Sequence, residues 1–178
     1  AGVKVLDFMW ALAGPGATRT MADFGATVIR VESSSRLDVI RTIRPFMEGD
    51  ESPEKSALFH NTNAGKRILS LDLTKPEGKE VILDLVRWCD VVTESFSPKA
   101  MKAFGLDYES LRQVNPNLIM LSTCLFGQSG PLSMFAGYGN LAAAIAGFYT
   151  ITGWADREPA GPFGAYTDYI APRYNAAA

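Results

Sequence analysis

The stretch that decides the fold is residues 68–93, ILSLDLTKPEGKEVILDLVRWCDVVT. Ile68 to Leu71 and Val91 to Thr93 are short apolar runs of the length of buried strands. Between them, Pro76 to Trp88 places Val81, Ile82, Leu85 and Val86 on one stripe of a helix. Thr74, three residues before Glu77, predicts a capping box at its start. Two buried strands joined through a helix predict a parallel crossover unit.

The same rhythm continues on both sides. Val3 to Phe8, Ala26 to Val31 and Leu118 to Ser122 have strand character, and helices are expected from about Pro15 to Phe24, Lys99 to Phe104 and Asp107 to Val114. The last is stopped at Asn115-Pro116, because a residue before proline is pushed out of the helical region. Strands alternating with helices predict an α/β fold: an open, mostly parallel, Rossmann-like sheet with helices on both faces. After Ser122 the glycines Gly127, Gly130, Gly137, Gly139, Gly147 and Gly153 predict loops and a helix packed at close quarters. Neither repeats nor linkers interrupt the chain, so residues 1–178 are expected to form one domain.

Composition removes several classes of function. The 178 residues carry 17 Lys and Arg against 19 Asp and Glu, a net charge of −2, which is no footprint for a nucleic acid. About 47% of residues are apolar and 20% charged, an ordinary globular balance. The longest apolar stretch, Leu141 to Ile151, falls far short of the roughly 20 residues that cross a bilayer. Cys89 and Cys124 have neither zinc nor disulfide spacing, and both are expected as reduced core thiols. No signal peptide opens the sequence, so the cytoplasm is the expected compartment. The missing initiator Met and the terminal alanine run predict a fragment of a longer chain.

Four features have the chemistry of a site. The first strand runs into Ala11-Leu12-Ala13-Gly14-Pro15-Gly16, where backbone amides and a helix N-terminus could meet an anion, although the dinucleotide and P-loop spacings are absent. A tight structural turn fits the same residues. Lys66 and Arg67, after Asn61-Thr62-Asn63-Ala64-Gly65, fit either an anion clasp or a solvated loop. His60, the only histidine, fits a packed or hydrogen-bonded role better than that of a base, which leaves triad and zinc mechanisms little to work with. Asp168 lies among small and aromatic residues after Gly161-Pro162-Phe163-Gly164. It fits both a desolvated nucleophile and a helix N-cap.

Taken together, several segments resemble the class III coenzyme A transferases, the family of formyl-CoA transferase, carnitine CoA-transferase and α-methylacyl-CoA racemase. They are Val5-Leu-Asp-Phe8 with Ala13-Gly-Pro15, Ala22 to Glu32, Asn63-Ala-Gly-Lys-Arg67, Leu71 to Gly78, Asp90 to Pro98, Asn115 to Ile119, Phe126 to Pro131 and Gly161 to Asp168. The resemblance implies an enzyme moving CoA between carboxylic acids, with Asp168 as the nucleophile that becomes an aspartyl-CoA thioester. It implies CoA or acyl-CoA as substrate, with no permanently bound cofactor and no metal. CoA contacts are implied at Ala11, Leu12 and Ala13, at Leu71, Thr74 and Lys75, and at Ser95 and Phe96. Lys75 would meet a phosphate and Phe96 would pack near the adenine.

The departures from that pattern carry expectations too. Formyl-CoA transferase has glutamine where Leu12 stands and glutamate where Gly139 stands, which implies a larger and less polar acyl pocket here. Its arginines fall at Ser33 and Ala103, leaving Arg36 or Lys102 as replacements. The racemase branch has a histidine where this chain has Tyr138, and a phenol of pKa about 10 is poorly matched to that base. CoA transfer is thus expected over α-carbon proton exchange, and a non-catalytic CoA-binding fragment is the remaining alternative. Members of the family form interlocked homodimers of chains about twice this length. The small domain would then lie beyond residue 178, and an apolar exposed face is expected where the remainder packs.

Overall fold

The computed structural model describes residues 2–178. Its centre is a five-stranded, all-parallel sheet of order β3-β2-β1-β4-β5, built from β1 (Lys4–Phe8), β2 (Thr27–Glu32), β3 (Arg67–Ser70), β4 (Val91–Glu94) and β5 (Ile119–Ser122). The crossovers run through α1 (Ala13–Asp23), α2 (Ala57–Asn63), α3 (Pro76–Trp88), α4 (Pro98–Phe104) and α5 (Tyr108–Val114). Right-handed crossovers explain the layering: strand order advances outward from β1 to β3 and then runs back through β4 to β5, so the helices before β3 and those after it fall on opposite faces. Accordingly α1 packs with α2, whereas α3 packs with α5.

The core lies chiefly where α3 and α5 cover the sheet. Leu6, Phe8, Val31, Ile82, Val86, Val92, Leu111 and Leu118 are buried there with Cys89. Ile82 and Val86 come from the predicted stripe, while Val81 is exposed. The capping box does not form. Lys75 takes the N-cap position without a side-chain bond, and Thr74 Oγ1 donates instead to Asp72 Oδ1 at 2.7 Å. Thr74 lies close enough to Asp72 to prefer a local turn over capping. α5 falls within the span expected for it, and Asp107 caps it by accepting from Ser110 N–H.

One cysteine departs from the sequence reading, while the histidine has the hydrogen-bonded role expected of it. Cys89 is buried as expected, but Cys124 is only half-buried, with its thiol donating to the Gly127 carbonyl at 2.9 Å. His60 is exposed, and its Nε2 lies 2.7 Å from the Glu54 carbonyl.

Beyond the sheet follow α6 (Gly139–Ile145), α7 (Phe148–Ile151) and α8 (Tyr166–Ala177). The last returns to lie against α1, the most extensive helix contact in the chain. Gly16 permits this approach, because a Cβ there would fall 2.9 Å from Pro172 Cγ. Around these helices Phe135, Ile151, Trp154 and Phe163 are exposed, the last completely. No helix among the described residues is long and apolar enough to cross a membrane.

Candidate active site

Strand order reverses between β1 and β4, and in such sheets the crevice beyond the strands' carboxyl ends is where ligands bind. The loops leaving these two strands are tied together there. Trp10 N–H donates to Ser95 Oγ at 2.8 Å, and the Trp10 and Phe96 rings meet edge to face at 5.9 Å. The exposed Arg36 guanidinium lies 5.9 Å over the Trp10 ring. Six of the sequence candidates therefore gather at one crevice: Ala11, Leu12, Ala13, Arg36, Ser95 and Phe96. Leu71, just past β3, is half-buried and, like Phe96, packs against the main core. Thr74 and Lys75 are exposed on the turn that follows it. Lys102 is exposed in the last turn of α4, at the opposite end of that helix from the Ser95–Phe96 loop.

The first loop is not the open anion cradle that its sequence allows. Met9 N–H donates to Asp7 Oδ1 at 2.9 Å, Trp10 N–H to Ser95, and Ala11 N–H to both oxygens of Asp38 at 3.1 Å. Three consecutive amides are thus occupied by side chains from three parts of the chain. Ala11 is held at φ 62°, a left-handed conformation rarely adopted by a residue with a Cβ. Its clamp is itself anchored: the fully buried Asp38 also accepts from Ile40 N–H at 3.1 Å and from Arg30 Nη2 at 2.5 Å. Donors left for a ligand are the amides of Leu12, Ala13 and Gly14, the N-cap and first turn of α1, which have no intrahelical partner.

Lys66 is likewise no anion clasp. Its ammonium is sealed beneath the loop, donating to Asp7 Oδ2 at 3.0 Å, the Pro15 carbonyl at 2.9 Å and Asn63 Oδ1 at 3.0 Å. Burial pulls its pKa down to about 8, against the opposing pull of Asp7. Arg67 stays exposed. Asp7, which the sequence reading gave no role, also accepts from Thr18 Oγ1 at 2.7 Å and Thr93 Oγ1 at 3.0 Å. A carboxylate inside an apolar strand was the available signal, since such a group is buried only with partners.

Asp168 sits in the first turn of α8 rather than at its N-cap, which is Ala165. It is half-buried, and desolvation raises its pKa, opposed by the backbone amide of Gly139. Next to it Thr167 Oγ1 donates to the Gly139 carbonyl at 2.7 Å, binding α8 to the start of α6. Gly139 does not widen a pocket, contrary to the sequence expectation: a Cβ there would lie 2.5 Å from Asp168 Oδ2, so the carboxylate already fills that space. Tyr138 stands outward, 70% exposed, and lines no cleft with Asp168. Leu12 does line one. A cleft of about 230 Å³ between α1, α2 and α8 is walled by Leu12, Gly16, Arg19, Asp168, Pro172 and Arg173, among others. The first loop and Asp168 thus meet in one place, although Leu12 and Asp168 lie 156 positions apart in the sequence.

Known proteins share this arrangement of chain. A succinate–glutarate CoA-transferase of Agrobacterium fabrum is 41% identical over 180 residues, matching 100% of this chain and 45% of its own length. The human succinyl-CoA:glutarate CoA-transferase is 37% identical over 173 residues, 97% of this chain and 39% of its own. The chain therefore spans less than half the length of these relatives. A CAIB/BAIF family protein from Brucella suis superposes with a TM-score of 0.89 at 39% identity, covering 99% of this chain and 46% of that one. The description of CoA-transferase family III matches residues 1–178 without a gap at either end, and the chain belongs to that family.

Proposed function

We propose that the full-length protein moves CoA between dicarboxylic acids, with Asp168 as the covalent carrier. The single observation that supports this reading best is the raised, half-buried Asp168 carboxylate in a cleft that the crevice loop also lines. Similarity to transferases named for succinate and glutarate supports the choice of diacids. Proton exchange at an α-carbon has less support, because Tyr138 stands outside the cleft.

In the proposed cycle, the Asp168 carboxylate attacks the acyl carbon of the donor thioester. The C–S bond breaks, giving a mixed anhydride and free CoA thiolate. The thiolate attacks the aspartyl carbonyl, releasing the donor acid and leaving aspartyl-CoA. The acceptor carboxylate then attacks that thioester and regenerates thiolate. Attack of thiolate on the acceptor's acyl carbon completes the new acyl-CoA and restores Asp168. Each bond broken is replaced by another acyl bond, so the thioester's energy is kept, provided water is excluded. A raised pKa suits the nucleophile, because a more basic carboxylate attacks more readily.

The CoA chain would follow the crevice from Ala11–Ala13 to Ser95–Phe96, with Arg36, Lys75 and Lys102 available to its phosphates and Leu71 and Thr74 beside it. The acting species is proposed to be a cytoplasmic homodimer of the full-length chain.

The test is intact-mass measurement of the full-length protein mixed with succinyl-CoA, with hydroxylamine trapping and peptide mapping. An adduct is expected on Asp168. D168A should form none and lose transfer by roughly 10⁴-fold or more, the scale for removing other covalent nucleophiles, while CoA affinity persists. An unchanged transfer rate in D168A would end the proposal. Adduct formation should also decline on acidification at a pH above the ordinary aspartate range, since only ionised Asp168 attacks and burial raises its pKa. An acid limb at the ordinary position, in a pH series of loading rates, would contradict that expectation.

A further inference from the structure

The two arginines of the cleft are not equivalent. Arg19 is engaged: its Nη1 donates to the Asn61 carbonyl at 2.5 Å and to Asn61 Oδ1 at 2.8 Å, and its Nε lies 3.4 Å from Asp23 Oδ2. Arg173 lines the same cleft and is exposed, and it has no ion-pair partner among the described residues. It follows Asp168 on α8 by five residues, about 7.5 Å of axial rise. Leu12, Gly16 and Pro172 provide a small, apolar wall to the same cleft. The cleft thus offers a carboxylate nucleophile, an apolar surface and an uncompensated cation.

That combination of groups in one cleft complements an acyl group with a second carboxylate at its far end. We infer that Arg173 binds the distal carboxylate of a dicarboxylic acyl group and makes the site select diacids over monoacids. The inference rests on Asp168 being the acyl acceptor. A guanidinium matches a carboxylate with two parallel N–H donors, a geometry that lysine does not reproduce. A monoacid of equal length would reach the same place with a methyl group and leave Arg173 to water.

Two readouts on the full-length protein test this, using R173Q and R173K. The first is calorimetric binding of glutarate and of valerate, which needs no turnover. Wild type should prefer glutarate, R173Q should lose roughly 10- to 100-fold of that preference, the range for a charged hydrogen bond, and R173K should keep part of it. The second is kcat/KM for succinyl-CoA with glutarate against butyryl-CoA with valerate, where R173Q should lower only the diacid pair. Equal effects on both pairs, or none, would overturn the role of Arg173. Preferential glutarate binding through Arg173 without any adduct on Asp168 would instead overturn the transferase reading, and with it the selection of acyl groups, and leave Arg173 only as a dicarboxylate-binding residue. Transfer that persists with an unchanged diacid preference in R173Q would remove the arginine's role alone.

Discussion

Replacing Asp7 by alanine is expected to destabilise the chain by about 3–5 kcal/mol, the cost of stripping one partner from a buried ion pair. Against a typical total of about 5–15 kcal/mol, much of the population would unfold under mild denaturant. The size follows from what Asp7 holds. Its two oxygens accept from Lys66 Nζ, Thr18 Oγ1, Thr93 Oγ1 and Met9 N–H, and both Asp7 and the Lys66 side chain are sealed from water. Removing the carboxylate takes a bond from four donors, orphans Met9 N–H and Thr93 Oγ1 outright, and leaves the ammonium with only the Pro15 carbonyl and Asn63 Oδ1 and no counter-charge. Urea unfolding of the purified protein measures it. D7A combined with K66M should cost less than the sum of the single changes, because the second removes the stranded charge. A loss below about 1 kcal/mol for D7A would contradict the ion-pair account.

The second large effect is at Gly139, where G139V should uncouple binding from chemistry. A Cβ at this position falls 2.5 Å from both Asp168 Oδ2 and Thr167 Oγ1, and a branched side chain has no way to avoid them. The carboxylate must move, and a displacement of about 1 Å at a nucleophile can cost roughly 100-fold in rate. Overpacking should also cost about 1–3 kcal/mol of stability. Adduct formation by the full-length variant is expected to fall about 100-fold, with CoA affinity close to wild type. Full-rate loading of Asp168 in G139V would show that the carboxylate does not react from this position.

How far these features were legible depended on how local their causes are. The helix from Pro76 to Trp88 was placed residue for residue because its stripe, proline and flanking strands lie within one contiguous segment. Strand ends moved by a residue or so, as hydrogen bonding rather than side-chain pattern decides them. The short α2 went unseen, since seven residues reading ALFHNTN carry little periodicity. The buried polar cluster was invisible for another reason. Arg30 pairs with Asp38 across 8 positions and with Asn63 across 33, and Lys66 reaches Asp7 across 59. Only the first of those pairs fits inside a window of about 11–18 residues, and no periodicity marks it. The candidate residues of the first loop and of Ser95–Phe96 did converge, because strand order brings the ends of β1 and β4 together. Arg173 carried no motif at all, and only the docking of α8 gives it a neighbourhood.

That docking separates the molecule into parts of unequal permanence. The sheet is complete by Ser122, with all five of its strands contributed by the first 122 residues of the chain. Helix α8 has no fully buried residue, has no side-chain cap, and carries Pro172 within it. Such a segment can lift from its support at a fraction of the free energy needed to unfold the strands. Asp168 therefore rides on an element held to the scaffold by its contact with α1 and not by buried side chains of its own.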